Sequence, residues 1–449
     1  MEHILDTQTL HARHALHLQN IFPGRAARLS WSRDQIIAFQ LGELRQLISH
    51  AKKHSQWHCE RLADFDAESL TVADICRLPT MTKADLMENW DSIVTVPGAA
   101  LADAQRFVDA VDLDRYYLGT HHLVSSGGSS GRTAIVLYDW DAFAEHIAGF
   151  TRAYLPTMVH LTGSMRPRVV AVGASSAQHI SVALSQTFSN PSNPIRFVPI
   201  TSGYDQLAMR LEALDPEVIQ SFPSALSVLV NQAERGTLRI APKLVLSSSE
   251  PLNAELRARI GRVWPAMILD FWSCSEASGS FPCLHSPGFH ISEDLNIVEE
   301  VRRDDGRSDG ILVTNLYNKA LPLIRYKIDD LISVSVDQCP CGVSFQKIDG
   351  VDGRVDKVFE YGRGVFVHPV MFETILAALP QIINYQVHKR PNGLRVVLLK
   401  SGEIDIEVMK RRLVDGLKQA GLERPVVDIE IADRIERLAS GKLPSAIIT

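Results

Sequence analysis

The sequence predicts an α/β protein with a large N-terminal domain and a small C-terminal α+β domain. Three observations predict it. Short β-prone runs alternate with amphipathic helical runs between residues 141 and 271, the pattern of a parallel sheet covered by helices. From residue 291 the texture becomes all-β, with short strands between turns, which adds a small β-barrel-like part. Beyond the turn-rich junction Asp349-Gly350 and Asp352-Gly353-Arg354, helical and strand periods return as one small set. The expected domains are 1–353 and 354–449. At 449 residues the chain has room for more than one domain and a sizeable core.

In chain order, residues 1–36 carry little periodic signal and read as an arm. Between 35 and 62, Ile37, Leu41, Leu44, Leu47, Ile48 and Ala51 recur at helical spacing. Leu78-Pro79-Thr80 breaks the chain ahead of a polar helical run at 82–90. Apolar, β-prone runs at 122–125 and 133–138 then flank the segment SSGGSSGR. A helix is expected at 141–155, strands at 168–173 and 195–200, a helix at 204–214, a strand at 218–222 and a helix at 224–235. A strand at 243–246 leads to a helix at 253–264 capped by Asn253, then to a strand at 267–271. Further strands fall at 295–301, 310–317 and 331–336. In the last part a helix at 369–379 precedes a hairpin, 385–389 with 394–399, turning at Pro391-Asn392-Gly393. A helix at 406–420 stops at Gly421, and a strand follows at 426–431.

Composition narrows the class. Hydrophobic residues make up 45% and charged residues 22%, as in an ordinary globular protein, and a net charge of −6 gives no nucleic-acid surface. Six cysteines are too few for a disulfide scaffold. The N-terminus has early acidic residues and no continuous apolar core, so it does not read as a signal peptide. No apolar run reaches the length of a membrane span. A cytoplasmic enzyme is the expectation, with no nucleic-acid or membrane partner; a homodimer stays open.

The segment SSGGSSGR carries the most chemistry. Gly127, Gly128 and Gly131 admit backbone angles closed to other residues and let amide N–H groups approach an anion. Ser125, Ser126, Ser129 and Ser130 add hydroxyl donors, and Arg132 adds a fixed charge. Many donors and one cation suit a polyphosphate. The Gly-Lys-Ser/Thr ending of a Walker A loop is missing, and a strand rather than a helix follows. On this stretch alone a ligand-free Gly/Ser hairpin loop is an equal reading. Two more polar clusters lie beyond predicted strand ends, where ligands of parallel sheets bind: SSSEP at 247–251 and WSCSE at 272–276. IRYKIDD at 324–330, GRVDK at 353–357 and RLASGK at 437–442 complete the set.

This order resembles the adenylate-forming superfamily of acyl-CoA synthetases, peptide-synthetase adenylation domains and luciferases. Within it, the chain resembles the phenylacetate–CoA ligase branch. That branch has a Leu-Pro-Thr-x-x-Lys run like residues 78–83, a Gly-(Leu/Phe)-His-x-x-Glu-Asp run like 288–294, and a Cys-x-Cys-Gly like 339–342. The resemblance covers residue 35 to the end. It implies that Ser126, Gly127, Gly128, Ser129, Ser130, Gly131 and Arg132 wrap the β- and γ-phosphates of ATP. It implies Glu250 and Pro251 beside adenine, Trp272 at the position of the aromatic stacked on adenine, and Ser275 and Glu276 at the α-phosphate and Mg²⁺. Asp330 takes the ribose hydroxyls, Arg354 contacts the nucleotide, and Asp356 is the hinge of a mobile small domain. Lys442 reaches the site as a catalytic cation.

Taken singly, these residues have plainer readings. Asp330 suits a turn cap, Trp272 a core position, and Arg354 with Asp356 a surface ion pair. The sequence also departs from the family pattern. Arg132 stands where Lys is usual, Thr133 where Pro is usual, and Ser273 where Gly is usual. Lys327-Ile328-Asp329 replaces Arg-Thr-Gly. The resemblance implies ATP-dependent activation of a carboxylic acid, aromatic by branch, to an acyl-AMP, then transfer to coenzyme A. Loading of a carrier protein, amide formation, and nucleotide binding without chemistry are the rivals.

Four soft ligands form a separate pattern. Cys339-Pro-Cys341-Gly is a tight pair, with Cys283 and His290 upstream, a Cys₃His set able to hold structural zinc. His285 is a rival fourth ligand, and free buried thiols are the alternative. His121, His122, His179 and His368 read as structural or surface residues.

Overall fold

A computed structural model describes residues 6–110, 115–126, 133–173, 176–189, 194–200, 204–304, 308–335, 338–354, 358–362, 365–367, 369–377, 379, 381–435, 443 and 446–447. The chain packs as two units. One comprises Met1–His160, Ser175–Ile195 and Phe271–Gly350; the other comprises Leu161–Ala174, Arg196–Asp270 and Val351–Thr449.

The first unit opens on a 21-residue helix, Thr7–Ala27, where the sequence suggests only an arm. Asp6 caps it, its carboxylate accepting from the Thr9 amide at 3.0 Å. The helix lacks an aliphatic stripe, so periodicity does not reveal it. It is anchored instead by His14, which is fully buried, stacks 3.8 Å from Trp140 and donates from Nε2 to the Trp140 carbonyl at 2.7 Å. The amphipathic run expected at 35–62 forms two helices, Arg33–His54 and Gln56–Arg61. Ser55 ends the first and caps the second, its hydroxyl accepting from the His58 amide at 3.3 Å. Leu44, Leu47, Ile48 and Ala51 pack with Leu78, Leu316 and Ile324. The strands His122–Ser125 and Ile135–Tyr138 pair antiparallel, His122 opposite Tyr138 and Ser125 opposite Ile135. The helix Trp140–Thr162 that follows is longer than its sequence signal and runs through Pro156. Small sheets complete the unit. Asn296–Arg302, Ser308–Asn315 and Tyr326–Ile328 form one, and Asp330–Val334, Lys347–Arg354, Phe289–Ile291 and Ser280–Pro282 form the other.

The second unit holds the predicted parallel sheet. Its strand order is Arg196–Pro199, Val169–Gly173, Val218–Ser221, Leu244–Ser248, Met267–Phe271. The first four of these pair in parallel. Helices Tyr204–Leu214, Pro223–Glu234 and Ala254–Val263 cover it, with Leu211, Leu226, Leu229 and Ile260 in the core. The helix Ile180–Thr187, in the first unit, has no counterpart in the sequence reading. The C-terminal part has a core of its own around Phe359, Phe372, Leu398 and Leu413. Its sheet orders Val426–Ile431, Gly393–Lys400, Ile382–Arg390 and Ala446–Ile447. The predicted hairpin is present, Arg390 opposite Gly393. Gly393 has φ +149°, and a Cβ there would run into the Val426 backbone, so a glycine is required at this turn.

One buried ion pair organises the first unit. Arg152, on the long helix, donates to both oxygens of Asp294 at 2.7 and 2.6 Å, and both side chains are fully buried. Arg28 adds a third bond at 3.1 Å. Burial alone would raise the Asp294 carboxyl, but the two guanidiniums outweigh it and hold it below the usual carboxylate range. Asp294→Ala strands these cations, and breaking a buried pair in this way costs about 3–5 kcal/mol. Urea unfolding should show a loss of that order. A loss below about 1 kcal/mol, the scale of an exposed pair, would refute the assignment.

Candidate functional site

The first unit holds several of the expected nucleotide residues, fastened by hydrogen bonds at the two ends of the run 272–276. Residues 127–132 of the Gly/Ser segment lie outside the described residues, but both ends of that segment are placed. Ser126 donates from its amide to the Ala134 carbonyl at 2.8 Å, and its hydroxyl accepts from the Ala134 amide at 2.9 Å. The loop is thus closed at its base by a two-bond clasp. The Ser125 amide and hydroxyl both donate to the Gln178 carbonyl, at 2.7 and 3.1 Å.

The run 272–276 is fastened to this hairpin. The Ser275 hydroxyl donates to the Ser125 carbonyl at 3.2 Å, and the Tyr138 hydroxyl donates to the Ser275 carbonyl at 2.6 Å. The Glu276 carbonyl accepts from the Asn315 amide group at 2.8 Å. The Glu276 side chain is 7% exposed, and the Tyr326 hydroxyl reaches its Oε1 at 3.5 Å. Burial and then the Glu276 charge push the Tyr326 phenol up, so it stays protonated and faces the carboxylate as a donor. Trp272 donates from Nε1 to Asp330 at 2.7 Å, at the first residue of the strand Asp330–Val334. The Trp272 amide donates to the Ser280 hydroxyl, which donates in turn to the Trp272 carbonyl, each at 2.8 Å. Ser275 is therefore hydrogen-bonded to the base of the phosphate-loop candidate, and Trp272, three residues earlier in the same run, is bonded to Asp330.

Cys274 sits inside this run. Burial, then the charges of Glu276 and Asp330, push its thiol well above the usual range. It stays a thiol and is no nucleophile.

Glu250 and Pro251 belong to the second unit. The Glu250 carboxylate accepts from the Ser224 amide at 2.8 Å and from its hydroxyl at 3.1 Å, at the start of the helix Pro223–Glu234. Pro251 is exposed. Arg354 ends the strand Lys347–Arg354. Asp356 and Lys442 lie outside the described residues, as does His368. Sequence reasoning passed over Tyr138, Asn315, Tyr317 and Tyr326. Tyr326 falls within the quoted run IRYKIDD, but nothing in its spacing marks it as a partner of Glu276.

The four soft ligands converge. The ligand atoms of Cys283, His290, Cys339 and Cys341 all lie within 4.8 Å of one another. Cys283 Sγ is 3.6 Å from Cys339 Sγ, and Cys341 Sγ is 3.3 Å from His290 Nε2. Tetrahedral zinc with bonds of about 2.3 Å to sulfur sets its sulfurs about 3.8 Å apart, so the spacing fits. His290 donates from Nδ1 to the Phe345 carbonyl at 2.8 Å, which aims the Nε2 lone pair at the thiols. Burial would raise the Cys283 thiol, but hydrogen bonds from Ser286, the His285 backbone and His290 bring it down to about 6. His285 itself is exposed and outside the cluster, so His290 and not His285 completes the group of four. His122 is buried between His14 and Phe143, as a structural residue.

No family model matches the chain. A phenylacetate–coenzyme A ligase of Thermus thermophilus is 24% identical over 84% of this chain and 82% of its own length. One of Pseudomonas putida is 25% identical, with the same coverage. Among solved structures, a 2-hydroxyisobutyryl-CoA ligase in the postadenylation state matches 94% of this chain and 92% of its own, with a TM-score of 0.70 and 18% identity. No described helix is long and apolar enough to cross a membrane.

The Tyr138–Ser275 bond is the simplest probe of the assembly. Tyr138→Phe leaves a buried carbonyl without its donor, at about 1–3 kcal/mol. Chemical denaturation should read that loss, and an unmoved midpoint would show that the bond does not hold the run in place. The chain thus shares its fold with a 2-hydroxyisobutyryl-CoA ligase, and its sequence is similar to phenylacetate–coenzyme A ligases over most of its length.

Proposed function

We propose that the chain activates a carboxylic acid with ATP and passes the acyl group to coenzyme A. One observation carries the reading: the short run 272–276 is hydrogen-bonded through Ser275 to the hairpin that carries the Gly/Ser loop and through Trp272 to Asp330. The substrate carboxylate attacks the α-phosphate and pyrophosphate leaves, giving acyl-AMP. The thiol sulfur of coenzyme A then attacks the acyl carbon, the acyl–oxygen bond breaks, and AMP departs. No protein nucleophile is needed, in keeping with the protonated state of Cys274. Ser126 to Arg132 take the β- and γ-phosphates, Ser275 faces the α-phosphate, and Asp330 takes the ribose. Glu250 and Pro251 are assigned to adenine, with Trp272, and Arg354 to the nucleotide. Glu276 would hold Mg²⁺, which would neutralise phosphate charge.

An aromatic acid is favoured by the rings beside the 272–276 run. Tyr138 and Tyr317 stack at 6.4 Å, and Phe150 and Phe271 at 5.3 Å. Residues 354–449 act as the mobile domain, with Asp356 as hinge and Lys442 as the cation of the first step. Coenzyme A is preferred to a carrier protein or an amine as acceptor because the relatives from Thermus thermophilus and Pseudomonas putida are CoA ligases.

Two tests follow from this. The wild type should catalyse acid-dependent exchange of pyrophosphate into ATP. Lys442→Ala should lose about a hundredfold or more in that exchange, the usual effect of removing a preorganised charge. Given preformed acyl-AMP and coenzyme A, it should still form thioester at near the wild-type rate. Equal loss in both half-reactions would recast Lys442 as a residue that holds its domain in place.

The second test concerns Cys283, His290, Cys339 and Cys341, which we assign as a closed, structural zinc site. Zinc should copurify at about one per chain, and Cys341→Ser should lower both metal content and melting temperature. Metal-free protein of full stability would remove the assignment.

A further inference from the structure

Arg325 stands in the run 324–330 and has no part in the reaction above. Its backbone takes φ +51°, a left-handed conformation that is costly for a residue with a long side chain. Such a conformation persists only where the surroundings hold it, and it collects at functional sites. Here the surroundings hold every part of the residue. Its amide donates to the Thr314 hydroxyl at 3.0 Å, and its carbonyl accepts from the Met81 amide at 3.0 Å. Its Nε and Nη2 donate to the two oxygens of Glu299 at 2.9 and 3.0 Å. Its Nη1 donates to the Cys76 carbonyl at 2.8 Å and to the Leu78 carbonyl. Only the planar fork of an arginine can serve a carboxylate and two carbonyls at once.

The segment it grips, 76–81, contains most of the Leu-Pro-Thr-x-x-Lys run, to which the reaction also gives no role. The Lys327 amide donates to the Met81 carbonyl at 2.8 Å, so Met81 lies as a parallel bridge beside Tyr326. Arg61 repeats the clamp, donating to the Ile324 carbonyl at 3.1 Å and to the Pro79 carbonyl. On the other side Tyr326 pairs with Val313. The start of the strand Tyr326–Ile328 is thus fixed from both flanks. The precision matters at the end of the Tyr326 side chain. Its hydroxyl lies 3.5 Å from Glu276 Oε1, the outer limit of a hydrogen bond, so a shift of a few tenths of an ångström decides whether the bond is made.

We propose that Arg325, braced by Glu299 and the 76–81 segment, is a positioning residue: it sets Tyr326 so that the phenol orients the Glu276 carboxylate. This rests on the acid-activating function proposed above and on the role given there to Glu276. The Leu-Pro-Thr-x-x-Lys run then acts through its backbone, as the abutment for the strand.

The test is the Mg²⁺ dependence of pyrophosphate exchange. Tyr326→Phe removes only the hydroxyl. Arg325→Gly removes the clamp and tolerates the left-handed φ. Each should raise the Mg²⁺ concentration for half-maximal exchange by about tenfold, the effect of losing one hydrogen bond to a charged group, with the KM for the acid unchanged. Arg325→Lys should restore little. The double variant should be no worse than the worse single, because both changes remove the same contact. A second measurement needs no turnover: electron paramagnetic resonance with Mn²⁺ and ATP should show weaker Mn²⁺ binding in the same variants. Should Arg325→Gly fail to fold, Glu299→Gln loosens the same clamp and should shift Mg²⁺ dependence in the same direction. Unmoved metal dependence in Tyr326→Phe, or effects that multiply in the double variant, overturn the assignment while leaving acid activation intact. Absence of exchange with every acid overturns acid activation, and the Mn²⁺ titration then decides this assignment by itself. Wild type that binds no Mn²⁺ with ATP overturns both.

Discussion

The carboxylate of Asp294 is the constraint on which the first unit depends. A carboxylate fully out of water is intolerable without cations, and Arg152 and Arg28 supply two. Each arrives from a different element, the long helix and the turn after the N-terminal helix. The neighbouring Glu293 accepts from Arg33 at 2.6 Å and from the Gln346 amide at 2.7 Å. His290, four residues earlier, enters the cysteine cluster. Gly288 has φ +97° because the Ile348 carbonyl passes where its Cβ would be. A seven-residue run, 288–294, thus ties N-terminal helices, the long helix and the cysteine loop to one another. Every fixed position of the run has a physical duty.

Part of this was legible in the sequence, and the limit has a physical cause. The parallel sheet was legible because its central strands, such as Leu244–Ser248, are almost wholly buried and read as continuous apolar runs between helical periods. The helix Thr7–Ala27 was not, because it is anchored by His14 against Trp140 and not by an apolar stripe. The polar clusters were legible as short runs of unusual composition. Their support was not: Tyr138 meets Ser275 across 137 residues of chain, and Trp272 meets Asp330 across 58. Nothing local encodes such pairs. The cysteine pattern lay between these cases, for spacing nominated both His285 and His290, and only the backbone path leaves one exposed and turns the other inward.

The electrostatics of the assembly are arranged against side-chain nucleophilicity. Cys274 is the obvious soft nucleophile, yet it lies close to two carboxylates, Glu276 and Asp330, each of which disfavours a thiolate. Tyr326 and Tyr138 are buried phenols, held as donors by the same burial. A site so built offers acceptors and neutral donors and keeps no reactive anion of its own apart from carboxylates. That suits a reaction in which the attacking group comes with the substrate, and it removes a competing nucleophile from an activated acyl group.

Trp272 shows how one residue serves two demands. It is 5% exposed, so little of its face is open, whereas its N–H is fully committed to Asp330. A diol is held well only by a carboxylate whose oxygens point in fixed directions, and a charge-assisted bond at 2.7 Å fixes one of them. Trp272 in turn is seated by Ser280, which closes a pair of bonds on its backbone. The close approach this requires falls at Gly279, with φ +67°, where a Cβ would come 2.9 Å from the Trp272 ring. Ser273, which stands where the family pattern has glycine, is free of that demand. The departure at 273 is therefore compatible with the ribose role proposed for Asp330, because the glycine that the tryptophan needs lies six residues further on.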